Sequence, residues 1–285
     1  MTTQSSYQTL ISAQQLQALI DAGQPLLLLD LSFDLANTEA GAQAYASGHL
    51  PGAHYMHLDR DLSAPKTGRN GRHPLPSREA FADRMASLGL HARTQVICYD
   101  AQGGMYGARA WWMLHWLGHA AVAVLDGGLQ AWRDAGGALS SELPTPPHPS
   151  AFVPGTPLVD SISADALQRR LGRLRLIDAR AAERFRGEVE PLDTKAGHIP
   201  GASNRAFAGN LNPQGRFKPA AELRAAFEPM IAPYAAADVV HQCGSGVTAC
   251  HNLLAMAHAG LGLGTLYAGS WSEWSSDPTR PIATG

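Results

Sequence analysis

The run VVHQCGSGVTACHNLLAMAHAG carries the plainest chemistry in this chain: a cysteine, Cys243, followed by Gly244, Ser245, Gly246, Val247 and Thr248. VVHQ reads as the end of a strand, CGSGVT as a tight loop, and the remainder as a helix that stops at Gly260. Cys243 then sits between the carboxyl end of a strand and the amino end of a helix, where open α/β sheets bind ligands. A thiol there feels the positive end of the helix dipole and can receive backbone N–H bonds, and both favour the thiolate. Gly244 and Gly246 permit backbone conformations in which consecutive amides converge on one anion as a nest, a cradle equally suited to a persulfide sulfur. The blander reading is a small buried cysteine in a turn, as many cysteines are. Cys98, inside VICYD, reads as core. Cys250, about two helical turns beyond Cys243, reads as an inert helical thiol, with a resolving role as the alternative.

The elements that must hold this loop are written twice. SGHLPGAHYMHLD at 47–59 is echoed by AGHIPGASNRAF at 196–207, LLLLDLS at 26–32 by LRLIDAR at 174–180, and LDGGLQAW at 125–132 by YAGSWSEW at 267–274, all in the same order. In each copy short Val/Leu/Ile runs such as LLLLD, QVICYD and AVAVLD alternate with helical patterns such as PSREAFADRMASLGL and GARAWWMLHWLG. Continuous apolar strands alternating with helices imply an α/β class with mostly parallel sheets flanked by helices. A stretch rich in proline and serine separates the copies, and it cannot continue a helix or a central strand. The expected division is a first domain over 1–145, a linker over 146–157 and a second domain over 158–285.

Composition narrows the function classes. With 285 residues, 45% hydrophobic and 16% charged, the chain can bury a sizeable core. A net charge of −2 and a pI near 6.6 give no overall basic field for nucleic acid. The amino terminus lacks a basic region followed by an apolar one, and no apolar run approaches the ~18 residues that span a bilayer, so the expectation is a cytoplasmic protein without membrane partners. Three cysteines without CxxC spacing argue against a disulfide framework and a thiolate zinc site. The twelve histidines, including His49 and His57, lack companion ligands at recognised spacing, so neither a metal nor another cofactor is expected.

Together the repeated GHLPGAH and GHIPGAS segments, the DGGLQAW and AGSWSEW endings and CGSGVTAC resemble the tandem-domain rhodanese-type sulfurtransferases over nearly the whole chain. The loop CGSGVT is similar to that of the 3-mercaptopyruvate-using members, whereas thiosulfate-specific members resemble CRKGVT, with basic residues inside the loop. The resemblance implies two tandem rhodanese-like domains, of which only the second carries the nucleophile. Aligning QVICYDAQGG with DVVHQCGSG puts Asp100 opposite Cys243, and an aspartate cannot hold a persulfide. DAQGGMYG is not expected to reproduce the amide cradle of CGSGVT.

The resemblance also implies that Asp59 of HLDRD and His73 of GRHPLP act with Ser245 to activate the substrate. Chemically, a histidine oriented by a carboxylate can polarise a hydroxyl; by spacing alone the three are equally well unconnected polar residues. Arg180, Arg184 and Arg186 follow the strand LRLID on the strand-end side and suit a carboxylate or sulfonate. By resemblance, Arg184 holds the substrate carboxylate and Arg180 supports it. Mercaptopyruvate-using relatives carry a further arginine after the Glu-Pro that follows; here Leu192 and Asp193 stand there, with Lys195 as a substitute. The implied partners are a small-molecule sulfur donor and a thiol, cyanide or thioredoxin-like acceptor. Thiosulfate as the donor is the alternative. Phosphatases and arsenate reductases also build a cysteine loop at a helix start, but their closing arginine would fall on Ala249, which leaves the oxyanion without its bidentate partner. A non-enzymatic rhodanese-like binding module is the remaining alternative.

Overall fold

Five short strands in each half of the chain form a parallel sheet, and the two sheets have the same order. The computed structural model describes residues 6–145 and 148–285. In the first half, β1 (Leu10–Ile11), β2 (Leu26–Asp30), β3 (His54–Tyr55), β4 (Gln95–Tyr99) and β5 (Val122–Leu125) pair in the order β1-β5-β4-β2-β3. In the second, β6 (Asp160–Ser161), β7 (Arg175–Asp178), β8 (Ser203–Asn204), β9 (Val239–Gln242) and β10 (Thr265–Leu266) pair as β6-β10-β9-β7-β8. Every pairing is parallel. The central strands are apolar runs buried on both faces, as LLLLD and VICY must be when helices cover both sides. Among the described residues, no helix is long and apolar enough to cross a membrane.

The helices start where side chains supply the missing acceptors. Ser12, Ser77 and Ser163 each accept an N–H from the first turn of the helix they cap, and Ser12 with Gln15 completes a capping box. The helix that follows β4 spans Gly107–Trp116, and the one that follows β9 spans Thr248–His258, with Gly260 in the left-handed region just past its end. One core packs Leu16, Leu28, Ile97, Leu125 and Trp132; another packs Leu167, Leu176, Val240, Trp271 and Trp274.

By contact, the chain forms two compact units that do not follow the sequence strictly. The first comprises 1–62, 76–158 and 214–216, and the second 63–75, 159–213 and 217–285. Of the expected linker, Pro146 and Pro147 lie outside the described residues. Residues beyond them pack back on the first unit: the Ser150 amide donates to the Ala86 carbonyl at 2.9 Å and the Gly155 amide to the Leu117 carbonyl at 2.8 Å. The segment 63–75, which the sequence reading assigns to the first domain, belongs by contact to the second unit and takes His73 with it.

The repeated histidines have a structural task. His49 stacks on Tyr45 with ring centroids 3.8 Å apart, and its Nδ1 is 2.7 Å from the Tyr45 carbonyl. His198 repeats this with Phe185, at 3.8 Å and 2.8 Å. Each pins the turn before an outer strand through an isolated bridge, to Ser140 and Ala283 respectively.

Candidate active site

Cys243 is the residue after β9, and Arg180 lies two residues after the neighbouring strand β7. Asp178 and Gln242 are in register at the strand ends, so both segments leave the sheet at its carboxyl edge. The Cys243 side chain is buried, and its sulfur accepts the Gly246 N–H at 3.2 Å. Gly246 has φ +77°, and a Cβ there would stand 2.2 Å from the Ala268 carbonyl oxygen, so only glycine fits. The loop is tied to the segment after β10: the amides of Trp271 and Ser272 donate to the carbonyls of Cys243 and Gly244 at 3.0 and 2.9 Å. Ser270 accepts the Cys243 N–H at 3.1 Å and donates to the Tyr267 carbonyl at 2.9 Å. Among the described residues it is the one non-glycine with positive φ, at 55°. That strain is tolerated because the hydroxyl fixes the nucleophile's own amide.

The second unit brings His73 to Ser245. Nδ1 and Oγ are 2.7 Å apart, and both side chains are buried. With the imidazole proton on Nδ1, His73 donates to Ser245 Oγ, and the hydroxyl proton can point at a substrate oxygen as donor or proton relay. Asp59 lies in the first unit, half-buried on the short helix Leu58–Asp61, where its amide donates to His57 Nδ1 at 3.1 Å. Val247 is the residue before the helix that Thr248 opens.

The arginines divide by what they touch. Arg180 spends its guanidinium within the protein: it donates to Asp178 at 2.7 Å, to the Gly197 carbonyl at 2.7 Å and to Glu190 at 3.3 Å, and it packs over the Trp271 ring at 4.7 Å. Its side chain is 1% exposed. Arg180 thus orients Glu190, and Glu190 in turn accepts from Arg184 at 2.6 Å. Arg184 points at the loop, since a Cβ on Gly244 would lie 3.5 Å from its Nη1. Arg186 pairs with Glu188 on the surface, away from this network.

The sequence reading missed Arg72. Its Nη2 lies 2.7 Å from where a Cβ on Gly244 would be, its Nη1 donates to Asp193, and its amide donates to Ser272 Oγ at 3.0 Å. Adjacency to His73 was the one available signal. The backbone carbonyl of Lys195 accepts from the Trp271 indole N–H at 2.9 Å. Its charge adds to the Thr279 hydrogen bonds that hold the Asp277 carboxyl below its usual range. The other two cysteines are core residues: burial, with Asp100 nearby, pushes the Cys98 thiol up, and the Cys250 thiol donates to the Gly246 carbonyl at 3.3 Å.

A site built of a loop thiol at a strand end, a serine-histidine pair and guanidinium groups suits nucleophilic transfer from a small anionic donor. The family model for the rhodanese-like domain matches twice, over residues 12–135 and 163–277. The chain is 49% identical over 281 residues to a Pseudomonas aeruginosa protein named "Probable 3-mercaptopyruvate sulfurtransferase", covering 97% of this chain and 98% of that one. It is 33% identical to the thiosulfate sulfurtransferase of Bos taurus, covering 96% and 94%. A solved structure of the 3-mercaptopyruvate sulfurtransferase from Leishmania major superposes with a TM-score of 0.82 at 30% identity, over 96% of this chain and 76% of that one. The duplicated fold, the repeated motifs and these full-length likenesses place the chain in the rhodanese family of sulfurtransferases.

Proposed function

We propose that this enzyme moves sulfane sulfur from 3-mercaptopyruvate to a thiol or cyanide acceptor through a persulfide on Cys243. The observation that carries this reading is the composition of the loop site: a buried Cys243 with Ser245 hydrogen-bonded to His73 beside it, Arg184 facing Gly244, and no cationic residue within CGSGVT itself. Arg184 holds the donor carboxylate. The Cys243 thiolate attacks the donor sulfur, an S–S bond forms and the C–S bond breaks, and its electron pair passes to carbon as the enolate of pyruvate. Ser245, hydrogen-bonded to His73, donates to the carbonyl oxygen as negative charge develops there and relays the proton that turns the enolate into pyruvate. An acceptor thiolate or cyanide then attacks the terminal sulfur and releases the Cys243 thiolate. Arg180 acts through Glu190 as a positioning residue.

Thiosulfate is the slower donor in this reading. It is a compact dianion that gains most from cations inside the loop, and Gly244 and Ser245 leave the loop neutral. The test is catalytic efficiency with the two donors side by side. A higher kcat/KM with 3-mercaptopyruvate supports the assignment; a higher value with thiosulfate overturns the donor while leaving the persulfide step intact.

A further inference from the structure

Within the second unit, the turn after β10 joins the nucleophile's loop to the segment that carries His73. Trp271 and Ser272 hold the carbonyls of Cys243 and Gly244, Ser270 holds the Cys243 amide, and Ser272 Oγ accepts the N–H of the residue before His73 at 3.0 Å. The counterpart turn in the first unit is built differently. There Gly127 and Gly128 stand in the left-handed region, at φ +79° and +56°, where glycine carries no strain. Here the pair is Gly269 and Ser270, and Ser270 keeps φ 55° with a side chain attached, a conformation that persists only where its surroundings over-determine it. Gly269 has φ −63°, which any residue adopts, so its lack of a side chain answers another need. A Cβ there would stand 1.7 Å from Glu273 Oε2: the Glu273 side chain folds back over the turn and takes that place.

In the repeat, Glu273 corresponds to Ala131 and Tyr267 to Leu125, so the first unit has an apolar pair where the second has a carboxyl and a phenol. Tyr267 is wholly buried. Burial pushes the Glu273 carboxyl up, and the Tyr267 hydroxyl and the Arg280 guanidinium act against it. Arg280 is itself anchored, donating to Asp165 at 2.6 Å and to Gln168 at 2.7 Å and packing over the Trp274 ring at 5.1 Å. Polar groups are costlier to bury than the apolar pair, and the sheet does not require them, since both sheets have one strand order. They stand where a strained turn has to be held against the nucleophile's loop.

We propose that Glu273 is a positioning residue for sulfur transfer: packed on Gly269 and backed by Tyr267 and Arg280, its side chain holds the turn at Ser270, and through that turn the backbone of Cys243 and the segment of His73. This rests on the reading that Cys243 is the nucleophile. The action is through shape and hydrogen bonding, so glutamine can perform it and alanine cannot. It reaches the site through backbone, and therefore bears on kcat more than on KM.

The experiment joins steady-state kinetics with 3-mercaptopyruvate to amide hydrogen exchange read by mass spectrometry. Glu273→Ala is expected to lower kcat ~10-fold with KM within about twofold of the wild type, and Glu273→Gln to stay within about twofold in both. In Glu273→Ala the peptide holding the Trp271 and Ser272 amides should exchange ~10-fold faster, while the peptide holding the Leu129 amide of the first unit keeps its wild-type rate. A fall in kcat without that local acceleration overturns the proposal, as does equal acceleration in both peptides, which would mark a general loss of stability. A glutamine variant as impaired as the alanine variant also overturns it. If Glu273→Ala does not fold, Tyr267→Phe, which removes one hydroxyl from behind the carboxyl, carries the test: a ~3-fold lower kcat with faster exchange at 271–272 supports the proposal, and wild-type values of both overturn it. Failure of the underlying nucleophile reading looks different: the wild-type protein would then gain no sulfur on Cys243 from the donor.

Discussion

The loop after β4 and the loop after β9 are the same device used in opposite ways. Both follow the central strand of a five-stranded sheet, and both are tied by one equivalent bond, from the Leu129 amide to the Asp100 carbonyl and from the Trp271 amide to the Cys243 carbonyl, each 3.0 Å. In the first unit the Asp100 carboxylate accepts four backbone N–H bonds of 2.8–2.9 Å, from Gln102, Gly104, Tyr106 and Gly107. DAQGGMYG is not expected to reproduce the amide cradle of CGSGVT; it forms a cradle of its own, and the aspartate's carboxylate fills it. In the second unit Cys243 receives the Gly246 amide and presents sulfur instead. An anion nest becomes inert when the chain supplies its own anion, and reactive when it supplies a nucleophile.

The largest effect should come from removing that nucleophile. Cys243→Ser is expected to lower turnover by ~10³-fold or more. Intact mass after donor treatment should show one added sulfur on the wild type and none on the variant; an adduct and activity that both persist would sink the persulfide. The matching change in the other loop should act on stability. Asp100→Ala leaves three buried amides and the part-buried Gln102 amide without their acceptor and should cost about 3–5 kcal/mol in urea unfolding, and an unchanged midpoint would show that water replaces the carboxylate without penalty. Asp100→Cys should still bind one sulfur per chain, since the loop has glutamine at 102 where the active loop has Ser245. A second adduct would break the comparison.

Arg184→Ala should reduce kcat/KM for 3-mercaptopyruvate ~30-fold to 150-fold, the equivalent of losing about 2–3 kcal/mol of charge-assisted binding. A smaller loss would mean that Arg184 serves Glu190 more than the donor.

The two strands feeding the loops differ as well. Cys98 and Tyr99 close the buried β4, whereas His241 and Gln242 close β9, and neither of these two side chains has a hydrogen-bond partner among the described residues. Burial, with Arg205 adding to it, pushes His241 down to about 3, and burial pushes His115 down to about 4. Both are neutral in the fold and gain protons more readily in the unfolded chain. Their contribution is therefore nil above about pH 6.5, and stability is lost as pH falls below that, by about 1.4 kcal/mol per pH unit for each group until its folded value is reached. His241→Leu should flatten urea-stability curves measured between pH 7 and pH 5. Parallel curves would show that His241 is protonated in the fold.

How much of this the sequence disclosed follows from chain distance. The repeats, the parallel α/β order and Cys243 are local patterns, and each is legible because glycines, prolines and apolar runs act within a few residues. His73 beside Ser245 required the family resemblance, because the two are far apart in the chain. Arg72 was missed for the same reason, together with its place in a segment that by contact belongs to the other unit. The filled cradle at Asp100 was missed because an aspartate in a turn looks ordinary until the amides around it are located.

The smallest expected effect concerns Cys250. At the position corresponding to Gly107, whose amide donates to the Asp100 carboxylate, the active copy has a thiol that donates to the Gly246 carbonyl at 3.3 Å. Gly246 is also the residue whose amide donates to the Cys243 sulfur, so the two thiols bond to the two backbone ends of one residue. A thiol is a weak donor and the site is fully buried, so Cys250→Ala removes a weak bond and a small volume and should cost about 1 kcal/mol of stability. Gly246 is also fixed by its close approach to Ala268, which the substitution leaves alone. Turnover should therefore stay within about threefold of the wild type, and the mass shift of one sulfur on Cys243 should remain. If a folded Cys250→Ala protein instead loses the persulfide, Cys250 takes part in the chemistry, and the sulfur is shared between two thiols rather than held by one.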